Sequence, residues 1–151
     1  MELQEEYKDN AFDLLGGVVG VKILANCFYD VMEELPRARK IREMHPRDLK
    51  DTRENLALFL CGWLGGPPLY KEKFGTANLA GIHVHFDINT DERDTWLACM
   101  NLAIEKQPID EKLKIYLNKR FEIPAEKIRI TCQQQVNGLP VVLPPGIPGL
   151  K

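Results

Sequence analysis

The sequence predicts a single all-α domain, and three observations carry that expectation. Apolar residues recur at steps of three and four, the period of one helix face. The stripes are separated by glycine and proline, the residues that end helices. With 151 residues, 44% of them apolar, the chain can bury one core without disulfides or a structural metal.

Past Gly16-Gly17 the first clear stripe runs Val21, Leu24, Phe28, Val31, Met32 and Leu35, and Pro36 ends it. A short second helix through Ile41 and Met44 stops near His45, because Pro46 disfavours helical geometry in the residue before it. His45 therefore sits at a corner. The next helix starts near Asp48 or Asp51 and runs Leu56, Phe59, Leu60, Trp63 and Leu64 until Gly65-Gly66-Pro67-Pro68 stops it; Thr52 lies on the same stripe. Thr90 is read as an N-cap, with Asp91, Glu92 and Asp94 in the first turn of a helix that places Trp96, Cys99, Met100 and Ala103 on one face. Two further helical stretches follow, one through Leu113, Tyr116, Leu117 and Phe121, the other from Pro124 through Ile128 and Cys132 to Gly138. Pro124 either kinks one long helix or separates two. From Leu139 on, four prolines and two glycines in thirteen residues predict an extended tail without regular structure. One segment breaks the pattern: Ile82-His83-Val84-His85-Phe86-Asp87-Ile88 alternates apolar and polar residues with the period of a strand.

A formal charge of −2, from 20 basic and 22 acidic residues, gives no reason to expect nucleic acid or an anionic membrane as partner. The segment 1–10 is acidic and is followed by no apolar run, unlike a secretory signal, and no stretch of about 18 apolar residues runs unbroken. The expectation is a cytoplasmic protein. Cys27, Cys61, Cys99 and Cys132 form no C-x-x-C pair, which argues for reduced thiols on helix faces rather than a zinc site. Their spacing is close to the ~34-residue period of helical repeats, but the residues around them do not repeat.

The chemistry rests on few residues. Of three histidines, His45 reads as a corner residue, while His83 and His85 read either as half-buried polar residues or, with Asp87 on one strand face, as ligands to a divalent metal. Tyr29 and Trp96 lie on apolar helix faces, where such rings are commonly core. There is no G-x-S-x-G nucleophile motif and no Rossmann glycine pattern; Gly16-Gly17 with Gly20 lacks the strand and lysine of a phosphate loop and suits a tight corner between helices.

Several strings, in order, resemble the group II truncated haemoglobins, small globins with a two-over-two helical sandwich. They are Leu14-Leu15-Gly16-Gly17, Phe28-Tyr29-Asp30-Val31-Met32, Ile41-Arg42 with Met44-His45-Pro46, and Phe59-Leu60 with Gly62-Trp63-Leu64-Gly65-Gly66-Pro67. Tyr70 with Glu72-Lys73, and Glu92-Arg93-Asp94 with Trp96-Leu97 and Cys99-Met100, complete the set, which spans Phe12 to Asn137. The resemblance implies a globin-like haem-binding domain over 1–138, followed by the tail 139–151.

It further implies haem, iron protoporphyrin IX, with His83 as the proximal iron ligand and Leu79 and Phe86 beside it. His85 stands where the family usually has proline and is the rival ligand. On the opposite face the resemblance places Tyr29, His45 and Trp96 as hydrogen-bonding residues to the bound ligand, with Thr52, Leu56 and Phe59 walling the pocket. The basic residues that usually precede the proximal histidine are missing, since the chain reads Ala80-Gly81-Ile82. Tyr70, Lys71 and Lys73, with Asn55 behind them, are the nearest substitutes for gripping the haem propionates. The implied function is reversible binding of dioxygen or another diatomic gas. Alternatives are a peroxidase-like or nitric-oxide-detoxifying haem enzyme, which would need a separate reductase, and a non-haem metal-binding helical module. Monomer and homodimer both remain open.

Overall fold

The computed structural model describes residues 10–76 and 88–136, with side chains as far as Gln133. Among the described residues every regular element is helical: α1 (Ala11–Leu15), α2 (Gly17–Glu34), a 3-10 turn (Pro36–Ala38), α3 (Arg39–Glu43), α4 (Lys50–Trp63), α5 (Leu69–Phe74), α6 (Thr90–Glu105) and α7 (Glu111–Val136). The strand-like alternation at 82–88 lies, but for Ile88, outside the described residues.

The apolar stripe of α2 buries Val21, Leu24, Phe28, Val31 and Met32, as its period demands. This helix packs on α4 and on α6, and α6 packs in turn on α7. Trp63 at the end of α4 closes the arrangement by meeting Phe121 of α7, ring centroids 4.6 Å apart. The result is an α2/α4 pair laid over an α6/α7 pair, a two-over-two sandwich around one core.

The double-glycine corners fold against each other. Gly16 adopts φ 117°, a left-handed conformation that ends α1 and turns the chain into α2. Phe12 then reaches the second corner: its N–H donates to the Leu64 carbonyl at 3.2 Å, and its ring lies so close to Gly66 that a Cβ there would fall 2.6 Å from the nearest ring carbon.

One boundary differs from the sequence reading, and one alternative is decided. The N-cap of α6 is Asn89 rather than Thr90, in a capping box in which the Glu92 carboxylate accepts the Asn89 N–H at 2.7 Å. Asparagine in extended geometry can accept from the third-residue N–H, which leaves Thr90 as the first helical residue. Of the two readings of Pro124, the single long helix holds, because α7 runs through it. An internal proline costs about 3 kcal/mol, but the buried stripe Phe121, Ala125, Ile128 and Cys132 continues across it, and that apolar burial offsets the lost backbone bond. The short α5 was not anticipated as a helix.

Candidate functional site

Tyr29 stands on the core face of α2, one residue past Phe28, and only 6% of its surface is exposed. Its ring meets Phe28 edge-on at 4.8 Å and His45 edge-on at 5.5 Å. Phe28 in turn contacts Trp96 of α6 at 5.2 Å. The three residues expected on the ligand side are thus drawn together from α2, the corner after α3, and α6, with Phe28 wedged between Tyr29 and Trp96. Neither the Tyr29 hydroxyl nor the Trp96 indole N–H has a hydrogen-bond partner among the described residues.

Burial pushes the Tyr29 phenol well above its ordinary range, while the Arg53 guanidinium, 5.9 Å over the ring, pulls the other way. Desolvation wins, so Tyr29 keeps its proton and remains a donor. His45 is held differently. Its Nδ1 lies 2.8 Å from the Ile41 carbonyl oxygen, which can only accept, so Nδ1 carries the proton. In the neutral ring Nε2 therefore carries the lone pair.

A charged cage surrounds this corner. Arg53 of α4 donates to the Asn26 carbonyl at 2.8 Å and pairs with Asp30 at 2.8 Å. Glu33 is shared, 3.8 Å from Arg53 and 3.1 Å from Arg42. Arg42 also donates to the carbonyls of Pro46 at 3.0 Å and Arg47 at 2.9 Å, just past His45. Sequence reasoning gave no role to Arg42, Arg53 or Phe28. Phe28 lay on a visible core stripe, whereas both arginines combine carboxylate partners with backbone carbonyls, and the carbonyl partners are ones that no motif reveals.

On α4, Leu56 is buried, and Thr52 and Phe59 are half-buried. Phe59 meets the buried Tyr70 edge-on at 6.0 Å, and Tyr70 leans on Phe74 at 4.6 Å. Tyr70 is therefore part of an aromatic cluster at the α4–α5 junction. Lys73 is exposed with its ammonium 5.2 Å over the Phe74 ring, and Lys71 beside it is exposed too. Asn55, a turn before Phe59, has a buried side-chain oxygen with no partner among the described residues.

Leu79, His83, His85 and Phe86 lie outside the described residues. The chain resumes at Ile88, which is buried with Ile128 and Cys132 against Met44, next to His45. No group of three His, Cys, Asp or Glu residues that could hold a metal occurs among the described residues, and none of their helices is long and apolar enough to cross a membrane.

Comparison with known proteins agrees with this architecture. Residues 10–129 match the family model of the bacterial-like globins. The chain is 30% identical over 107 residues to the group 2 truncated haemoglobin YjbI of Bacillus subtilis, covering 71% of this chain and 81% of that protein. It is 29% identical to two-on-two haemoglobin-3 of Arabidopsis thaliana, covering 76% of this chain and 65% of that one, so it spans slightly less than two thirds of the plant protein. Among solved structures, a cold-adapted truncated haemoglobin from the Antarctic bacterium Pseudoalteromonas haloplanktis superposes with a TM-score of 0.75 at 36% identity, over 78% of this chain and 95% of that one. A Bacillus subtilis structure described as a truncated oxygen-avid haemoglobin does so with a TM-score of 0.70 at 29% identity, over 78% and 97%. The two-over-two sandwich, the paired glycine corners and the family match together show that this chain belongs to the bacterial-like globins and, within them, to the group II truncated haemoglobins.

Proposed function

We propose that this globin holds haem through His83 and reversibly binds dioxygen or a related diatomic gas, with Tyr29 and Trp96 as hydrogen-bond donors to the gas. The observation that carries the reading is Tyr29: its side chain is buried in the core, and its hydroxyl keeps its proton and has no partner among the described residues. A donor without a protein partner, held on a buried ring, is free to donate to an external acceptor, a hydrogen bond worth about 1 kcal/mol. The donor set fits the family's cofactor, and the oxygen-avid relative from Bacillus subtilis supports the choice of ligand.

When bound, haem iron supplies the coordinate bond to the gas and shifts negative charge onto it. The protein's part is then electrostatic. The Tyr29 O–H and the Trp96 N–H donate to the negative end, in a site where Leu56 and Phe59 limit access of water. His45, with its proton on Nδ1, accepts through Nε2 when neutral and donates there only as imidazolium. Lys71, Lys73 and Asn55 are the available groups for the propionates, a looser grip than arginine forks would give.

Absorption spectra of the protein with added haem test this reading. A Soret band is expected, with a five-coordinate ferrous spectrum that His83→Ala abolishes and His85→Ala leaves nearly intact. The opposite pattern transfers the iron to His85. No Soret band at all removes the haem reading.

A further inference from the structure

The corner that carries His45 has little packing of its own. Pro46, Arg47 and Asp48 are exposed, and Leu49 is the next buried side chain along the chain. What spans this corner is the Arg42 side chain, itself only 20% exposed. All three of its nitrogens are engaged: Nε donates to Glu33 at 3.1 Å, and the two terminal nitrogens donate to the Pro46 and Arg47 carbonyls at 3.0 and 2.9 Å. The backbone of Arg42 joins in, since its carbonyl accepts the His45 N–H at 3.1 Å. One residue before it, the Ile41 carbonyl accepts the His45 ring at 2.8 Å. The imidazole is thus gripped at the end of α3, while the chain just past it is tied back to α2 through Glu33.

We propose that Arg42 is a positioning residue for the ligand pocket, a strut that holds His45 in one tautomer and one orientation against Tyr29. The proposal rests on the functional reading above for its effect on ligand binding, but the strut itself does not depend on haem. Lysine cannot replace it, because an ammonium offers donors from a single point whereas three acceptors here lie in different directions around a planar fork. Arg42→Lys keeps a charge for Glu33 and loses at least one carbonyl. The charged groups around the strut are Glu33 and Asp30 of α2, Arg53 of α4, and Arg47 and Asp48 of the corner; the Arg53 guanidinium is already occupied by Asp30 and the Asn26 carbonyl. The carboxylates among them cannot donate to a carbonyl.

Two measurements test the strut. In nitrogen-15 NMR of the protein as purified, the His45 ring should show a single Nδ1–H tautomer with a slowly exchanging proton; Arg42→Ala should give fast exchange or mixed tautomers, and Arg42→Lys an intermediate result. In the haem-loaded protein, Arg42→Ala should change the dioxygen release rate by about threefold or more, and that change should vanish in a His45→Phe background, as coupling between interacting residues requires. An equal effect with and without His45 shows a general structural role and overturns the proposal, as does an unaltered ring proton in both Arg42 variants. If Arg42→Ala does not fold, the same comparison is made with Arg42→Lys. Should the protein bind no haem, the functional reading fails while the NMR arm still decides the strut.

Discussion

The rings of Tyr29 and His45 meet edge to face, centroids 5.5 Å apart, while the imidazole gives its Nδ1 proton to the Ile41 carbonyl. Two polar side chains that look equivalent in the sequence therefore differ in kind. Burial locks the phenol in its donating form, and a backbone carbonyl locks the imidazole in the form whose remaining nitrogen accepts. Under the proposed function, a gas carrying negative charge would find its donor in the phenol.

Tyr29→Phe separates stability from function. Removing a hydroxyl that has no protein partner among the described residues should leave the haem-free protein about as stable by urea unfolding, within roughly 1 kcal/mol. The same change should speed dioxygen release about fivefold or more in stopped-flow, because the ligand loses a hydrogen bond worth about 1 kcal/mol. A pH signature accompanies it. The folded-state pKa of Tyr29 is raised, so its contribution to stability is fully present below the ordinary phenol value of 10.0 and is lost as pH rises beyond it. Tyr29→Phe should flatten that alkaline loss.

Trp96→Phe should also speed dioxygen release, by roughly three- to tenfold, since a single neutral donor is lost while an aromatic ring is kept. The ring's contacts with Phe28 and Phe121 are apolar and survive in phenylalanine, so unfolding should shift little. An unaltered release rate would make Trp96 core and nothing more.

Glu126 ties the start of α6 to α7. It bonds Arg93 at 2.6 Å and also Arg129, and these two guanidinium groups lower its pKa from 4.5 to about 2. Because the folded value is depressed, the stabilisation is present above the ordinary carboxylate value and disappears as pH falls from about 4.5 to about 2. The carboxylate is partly open to solvent, so the effect is modest and screened by salt. Glu126→Gln should remove that acid-limb slope from urea midpoints measured between pH 7 and 2, and added salt should shrink the difference from wild type.

The fold was legible wherever burial is periodic. The α2 stripe, the stop at Pro36 and the core face Cys99, Met100 and Ala103 of α6 all emerge as the three-and-four spacing indicates. The corner at His45 followed from Pro46, a local steric rule that needs no tertiary information. The six-residue α5 was illegible because it is too short to show a period. Pro124 could not be resolved from sequence, since what keeps α7 continuous is the core it packs against. At the site, Tyr29, His45 and Trp96 were identified through the family resemblance, because on pattern alone two of them are ordinary core rings. Their convergence became visible only when Phe28 was seen between Tyr29 and Trp96. Arg42 stayed hidden for a different reason: its partners at the corner are carbonyl groups, which every residue possesses.

Reversible oxygenation tests the central claim most directly. Ferrous protein carrying haem, exposed to dioxygen and then to inert gas, should change to an oxygenated spectrum and return to the starting one over repeated cycles. Loss of haem on desalting, or oxidation to the ferric form at first contact with no oxygenated species in between, would contradict the account.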